Sequence, residues 1–263
     1  MNSQPIGIFD SGVGGLSILK ELVRLMPGEN YIFVADQINV PYGEKSKKEL
    51  EKETLKICDF LISKKSKIIV VACNTVTCNV IDNLRAKIKI SFVGTVPAVK
   101  PAAISSRSGI IGILSTPSTS KSRGLKRLIR THANNTEVIN IGCYDLEDAV
   151  EMGNLNSPKI TQLLSKYTKP IRAAGADVVV LGCTHYPFLR PQIKKALGSS
   201  VKLIDSGTAI AKHTKKVLRQ ADTLNSQGGK GKVDFYTTGN SSRFSRVASS
   251  LLKKHVRAKH ISL

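Results

Sequence analysis

The chain has no long hydrophobic run. No apolar stretch reaches the ~18 residues that a bilayer-spanning helix needs, so no membrane partner is expected. It also lacks Cys-x-x-Cys pairs, and its five cysteines are odd in number. Both facts argue against a disulfide framework and for reduced thiols. The five histidines show no metal-ligand spacing with each other or with the cysteines. Met1 to Phe9 shows no basic segment followed by an apolar one, so there is no secretory pattern and a cytoplasmic location is the expectation. Low-complexity segments are absent as well.

Acidic residues are scarce. Nineteen Asp and Glu face 40 Lys and Arg, which leaves a formal charge of +21. Such a surplus fits either a solvated basic surface or a polyanion-binding protein. The basic residues are scattered, with the densest clusters at Lys64-Lys65-Ser66-Lys67, Lys121 to Arg130 and Lys253 to Lys259. Aromatics make up only 5% of the chain and do not interleave with these clusters as a stacking platform would require. The solvated surface is therefore the preferred reading. Weak, non-specific polyanion binding stays open as a second role.

What is present is a chain of 263 residues, 41% hydrophobic, enough for one large domain or two ordinary ones. Short β-branched runs alternate with helical patterns. The spacing predicts strands at Ile6–Phe9, Tyr31–Ala35, Lys67–Ala72, Ser91–Thr95, Gly109–Leu114, Glu137–Ile141, Asp177–Leu181, Val201–Ile204 and Val233–Tyr236. Apolar residues recur at helical spacing between them, as in Leu16, Leu19, Leu22, Val23 and Met26. This alternation predicts an α/β fold of buried parallel sheets flanked by helices. Pro41-Tyr42-Gly43, Pro97, Pro101 and the run Gln227 to Gly231 break the pattern.

The chain also echoes itself. Lys67 to Thr75 reads as a buried strand ending at Cys73, and Asp177 to His185 as one ending at Cys183. Ile6-Gly7-Ile8-Phe9-Asp10-Ser11 is matched by Ile111-Gly112-Ile113-Leu114-Ser115-Thr116. Two similar domains related by an approximate twofold follow. In open parallel sheets, ligands bind at the carboxyl ends of the strands. Both cysteines fall there, each expected just before a helix whose N–H groups favour a thiolate. Cys58, Cys78 and Cys143 lie inside apolar patterns and read as small buried hydrophobes. Two thiols facing one cleft from opposite sides suit proton removal and delivery on opposite faces of one carbon, which inverts that centre.

Asp10-Ser11-Gly12-Val13-Gly14-Gly15 matches neither G-x-G-x-x-G nor a P-loop, and reads as a tight turn exposing Asp10 and Ser11 to a cleft. His185 is either a satisfied core histidine or, two residues after Cys183, part of the chemistry, and function is the preferred reading. Glu151 ends a helical stretch before Gly153; on pattern alone it carries no weight.

Gly7-Ile8-Phe9-Asp10-Ser11-Gly12-Val13-Gly14-Gly15, Val40-Pro41-Tyr42-Gly43, Val71-Ala72-Cys73-Asn74-Thr75 and Gly182-Cys183-Thr184-His185-Tyr186-Pro187, in this order and spacing, resemble the glutamate racemase family of the aspartate/glutamate racemase superfamily. The likeness extends to Ile204-Asp205-Ser206-Gly207 and Tyr236-Thr237-Thr238-Gly239. It implies a pseudo-twofold pair of α/β domains, residues 1–96 with 208–263 and residues 97–207, with the active site between them. It implies interconversion of L- and D-glutamate without a cofactor or metal, supplying D-glutamate for peptidoglycan.

By the same resemblance Cys73 and Cys183 are the two bases, assisted by Asp10 and His185. The implied substrate-holding set is Asp10, Ser11, Pro41, Tyr42, Gly43, Cys73, Asn74, Thr75, Thr116, Thr119, Cys183, Thr184 and His185. Glu151 aligns with the family's assisting glutamate, with Glu147 and Asp148 as rival acids because the usually apolar stretch before it is not apolar here. The partner expected is glutamate itself, with a homodimer left open. Relatives regulated by a peptidoglycan precursor carry a longer N-terminal extension, so the expectation is the unregulated kind. An aspartate racemase is the runner-up, set apart by Glu where this chain has His185.

Overall fold

The structure is a computed structural model that describes residues 3–225 and 229–263. Part of the glycine-rich breaker, Gln227 and Gly228, and the first two residues of the chain lie outside the described residues. Among the described residues ten strands form two sheets, and every pairing is parallel. In chain order they are β1 (Ile6–Asp10), β2 (Tyr31–Ala35), β3 (Ile68–Val71), β4 (Phe92–Gly94), β5 (Ile110–Ser115), β6 (Glu137–Gly142), β7 (Val178–Leu181), β8 (Lys202–Ile204), β9 (Val233–Thr237) and β10 (Ala258–His260).

The first sheet runs β10-β9-β2-β1-β3-β4 and the second β6-β5-β7-β8. Within them the orders β2-β1-β3-β4 and β6-β5-β7-β8 are the same topology, so the sequence echo is a structural repeat. β1 corresponds to β5, and β3 to β7. The central strands are continuous apolar runs because helices cover both faces of a parallel sheet. Every residue of β1, β2, β3 and β7 is buried. Ile8, Val70, Val179 and Leu181 sit in one core with Leu16, Leu19 and Leu22 of the helix Leu16–Leu25.

Side-chain caps fix where several helices start. Ser46 and Glu49 form a reciprocal capping box ahead of Lys47–Ser63, and Ser157 caps Pro158–Ala173. Asn240 caps Ser241–Leu252. After the second sheet the helix Gly207–Gln220 returns and packs on Leu16–Leu25.

The sequence pattern predicts nine strands, and ten are present among the described residues. β10 begins at the end of the basic run Lys253 to Lys259. It has three residues, of which only Ala258 is buried, and it pairs with the edge of β9. So short an edge strand carries no readable period, because backbone pairing holds it rather than an apolar face. Cys183 also departs from expectation. A 3₁₀ turn, Tyr186–Leu189, follows it before the helix Arg190–Leu197 begins. Pro187 within that turn has no N–H to give, and the turn closes through Tyr186 N to Cys183 O and Phe188 N to His185 O.

Candidate active site

In each sheet the strand order reverses beside the central strand, between β1 and β3 and between β5 and β7. Ligands bind at such switch points, outside the carboxyl ends of the strands. The first switch point presents Asp10 and Cys73; the second presents Thr116 and Cys183. They face a single narrow, nearly closed cavity. It is lined by Asp10, Ser11, Val40, Pro41, Tyr42, Gly43, Cys73, Asn74, Thr75, Thr116, Glu147, Cys183, Thr184 and His185. All the expected substrate-holding residues line it except Thr119. That residue stands behind the wall, where Thr116 Oγ1 donates to its hydroxyl at 2.9 Å and Thr75 Oγ1 lies 3.3 Å away. Thr75 and Thr116 meet at 3.0 Å, so the three hydroxyls join one sheet to the other. A wider cleft near the C-terminal residues is lined by Asp36, Asn39, Glu53 and Lys56 among others and contains no cysteine.

Cys73 is the N-cap of the helix Asn74–Asn79 and is buried. Burial, with the Asp10 carboxyl beside it, pushes its thiol well above the ordinary range; the N–H groups of Val76 and Thr75 oppose this. Asp10 Oδ2 accepts from Gly15 N at 2.6 Å and from Thr184 Oγ1 at 3.3 Å. Its other oxygen, Oδ1, is buried without a hydrogen bond of normal length. Burial, reinforced by the Glu151 charge, raises the Asp10 carboxyl to about 6 against the pull of His185 and two backbone N–H groups.

Cys183 lies between two titratable groups. Its Sγ is 3.8 Å from Glu147 Oε1 and 3.5 Å from His185 Nδ1. Burial, then the Glu147 charge, push this thiol well above its ordinary range too. His185 is anchored on its far side, where Nε2 is 2.8 Å from Glu151 Oε1. Burial alone would lower the imidazole, but the hydrogen bond and charge of Glu151 outweigh it and raise His185 to about 9. Burial likewise pushes the Glu151 carboxyl up. The bond to His185, Gln37 Nε2 at 2.7 Å and Val13 N at 2.6 Å together hold it below the usual carboxylate range. Glu151 does not line the cavity; it supports His185 from behind.

The glycine-rich turn after β1 now has a physical reason. A Cβ on Gly12 would come 1.8 Å from Glu151 Oε1, and one on Gly14 would come 2.4 Å from His185 Nδ1. Both positions must be bare for the histidine and its carboxylate to reach the site. Further supports are Tyr42 OH donating to Asp36 Oδ2 at 2.6 Å, Asn74 Nδ2 donating to Thr95 O at 3.1 Å and Ser17 Oγ donating to Thr184 O at 2.9 Å.

The sequence reading missed Val40 and Glu147 as cavity residues, and Asp36 and Gln37 as supports. Only Glu147 left a trace, as an acid one helical turn before Glu151. Of the rival acids, Glu147 reaches Cys183 and Glu151 reaches His185, while half-buried Asp148 lines a neighbouring cleft. Among the described residues no group of three or more His, Cys, Asp or Glu is arranged to hold a metal ion, and no helix is long and apolar enough to cross a membrane.

Residues 6–214 match the family described as Asp/Glu/Hydantoin racemase. A glutamate racemase of Herpetosiphon aurantiacus is 41% identical over 251 residues, which span 95% of this chain and 99% of that one. Among solved structures, a glutamate racemase isoform from Bacillus anthracis superposes with a TM-score of 0.92 at 29% identity, covering 100% of this chain and 99% of the other. The glutamate racemase of Francisella tularensis, solved in complex with D-glutamate, superposes with a TM-score of 0.87 at 29% identity, covering 100% and 98%.

Proposed function

Since this chain belongs to the Asp/Glu/hydantoin racemase family and is an amino-acid racemase of the glutamate racemase type, we propose that it interconverts L- and D-glutamate by a two-thiol acid–base mechanism that needs no cofactor. The observation that carries this reading is the pair of buried thiols, one from each sheet, lining a single cavity. Cys183 takes the α-proton of L-glutamate as a thiolate while Cys73 delivers a proton to the opposite face. In the reverse direction Cys73 takes the proton of D-glutamate and Cys183 delivers.

The α-proton is far less acidic than any side chain, so the cavity has to stabilise a carbanion-like transition state. Three features support that role. The imidazolium of His185 lies beside Cys183 and favours its thiolate. The hydroxyls of Thr75, Thr116 and Thr184 and the amide of Asn74 line the space where the substrate carboxylates would sit. Asp10 and Thr184, joined across the cavity, offer polar groups to the ammonium and its neighbours. The segments 1–96 with 208–263 and 97–207 act as two jaws. Closing them on substrate excludes water and strengthens each of these interactions. In the cell we place the enzyme in the cytoplasm, supplying D-glutamate to peptidoglycan synthesis, as the likeness to glutamate racemases implies.

The test is direct. Protein dialysed exhaustively against a chelator, and showing no visible absorbance from pyridoxal phosphate, racemises L-glutamate. Activity that vanishes on dialysis and returns with metal or pyridoxal phosphate overturns the mechanism. Faster turnover of aspartate overturns the substrate.

A further inference from the structure

Each thiol of the cavity has a carboxyl against it: Asp10 beside Cys73, and Glu147 beside Cys183. Glu147 stands in the first turn of the helix Leu146–Glu151, lines the cavity and is 8% exposed. Glu151 is four residues later on the same helical face. One helix thus sends one carboxyl to the sulfur and a second to the imidazole that flanks it.

The imidazole is poised as a donor rather than an acceptor. Its Nε2 is held by the Glu151 carboxylate, which favours the charged ring and so leaves Nδ1 turned to Cys183 as an N–H. For the proton of Cys183, Glu147 Oε1, to which the thiol already points at 3.8 Å, is the acceptor at hand.

We propose that Glu147 is a catalytic acid–base group of this racemase, the one that takes the proton of Cys183 before that sulfur removes the α-proton and, in the reverse direction, reprotonates Cys183 after it has delivered its own. The proposal rests on the two-thiol reading above. In the forward step the S–H bond of Cys183 breaks, an O–H bond forms at Glu147 Oε1, and the electron pair stays on sulfur. The thiolate then takes the α-proton of L-glutamate, and Cys73 gives its own proton to the other face. When the product leaves, Glu147 loses its proton to water and Cys73 regains one by way of Asp10, so one proton leaves and one arrives. Burial is the main reason the Glu147 carboxyl is pushed up to about 7, with Asp148 adding to it and His185, its own N–H and the Cys183 thiol opposing. Cys143, Tyr167 and Tyr186 also face it. A carboxyl in that range exchanges a proton with a thiol near neutral pH more readily than an ordinary one.

The variant Glu147→Gln keeps the shape and removes the basicity. L- and D-glutamate have equal free energies, so kcat/KM must fall equally in both directions, by roughly 100-fold. The isotope effects tell which transfer has slowed. With α-deuterated L-glutamate the primary effect rises towards its full value; with α-deuterated D-glutamate it shrinks. The unmodified enzyme should show a pH–rate limb near neutrality, and the variant should lose it. Glu147→Asp, which keeps a carboxyl one methylene shorter, restores part of the rate and the limb; it stands in if the glutamine variant fails to fold by circular dichroism. The proposal is overturned if the glutamine variant stays within threefold of normal. It is also overturned if the rate falls with the pH limb intact and the two isotope effects unchanged relative to each other, as a merely structural residue would give. Cys73→Ala and Cys183→Ala are assayed alongside. If either retains racemisation, the two-thiol reading itself fails; if both are inactive while Glu147→Gln is normal, only the role of Glu147 fails.

Discussion

Glu151 Oε1 lies 2.8 Å from His185 Nε2, and the two side chains are 8% and 3% exposed. The pair joins the helix Leu146–Glu151 to the strand end that carries Cys183, and it holds the imidazole charged. The raised His185 contributes stability that is fully present below about 6.5 and is lost as pH rises through about 9. The depressed Glu151 contributes stability that is present above about 4.5 and is lost as pH falls through its lower folded value. Glu151→Gln leaves a buried imidazole without its counter-charge. It should cost roughly 3 kcal/mol in urea unfolding at pH 7 and much less at pH 10. Racemisation should fall about 10- to 100-fold as the thiolate loses a charged neighbour. Equal stability losses at the two pH values would show that the pair is not ionic.

Asp10 carries the opposite sign. Burial holds its carboxyl at about 6, so the charge that catalysis uses is costly to the fold. Its favourable, neutral contribution is complete below about 3.8 and is lost as pH rises through about 6. Asp10→Asn should therefore stabilise the protein at pH 8, on the order of 1–2 kcal/mol, and leave it nearly unchanged at pH 4. Racemisation should fall by about 100-fold or more. Thermal scans at the two pH values check the sign, and a variant less stable at pH 8 contradicts it.

Most of this was legible in the chain. β3 and β7 are unbroken apolar runs, and β1 and β5 are apolar up to their last residues Asp10 and Ser115, as a parallel sheet covered on both faces requires; the repeated cysteine context points to the matched switch points. Gly12 and Gly14 were visible as a tight turn. Their reason was not, because it lies in Glu151 and His185, more than 130 positions away. Glu151 could not be separated from Glu147 and Asp148 by pattern, since three acids on one short helix differ only in what each faces. Asp36 and Gln37 left no signal at all. They act through Tyr42 and Glu151, contacts that arise only when loops from distant parts of the chain meet.

The surplus of 40 basic over 19 acidic residues should act as a diffuse charge rather than a reading head. Apart from Lys121, which ends the preceding helix, the basic residues of the cluster Lys121 to Arg130 fall on the helix Arg123–His132, which buries only Leu125 fully and presents no stacked aromatic platform. Retention on immobilised duplex DNA should be measurable at low salt and gone near physiological salt, with the steep dependence of counterion release. Sequence-selective binding that persists at physiological salt would show a specific polyanion function instead.

The two thiols should be essential and inequivalent. Replacing Cys73 by Ala removes the group that delivers a proton to one face, and racemisation should fall to near background in both directions. Cys183 still faces bound L-glutamate, with Glu147 and His185 beside it. It can take the α-proton and return one to the same face. If the thiol proton exchanges with solvent while the carbanion lasts, the Cys73→Ala protein in heavy water slowly labels L-glutamate at the α-carbon and leaves D-glutamate unlabelled. Cys183→Ala should show the reverse, with Asp10 serving the remaining thiol. Loss of the α-proton signal in nuclear magnetic resonance follows both. Racemisation near the unmodified level in either variant would remove the two-thiol mechanism. Labelling of the opposite enantiomers would keep it and exchange the faces, with Cys183 then serving D-glutamate.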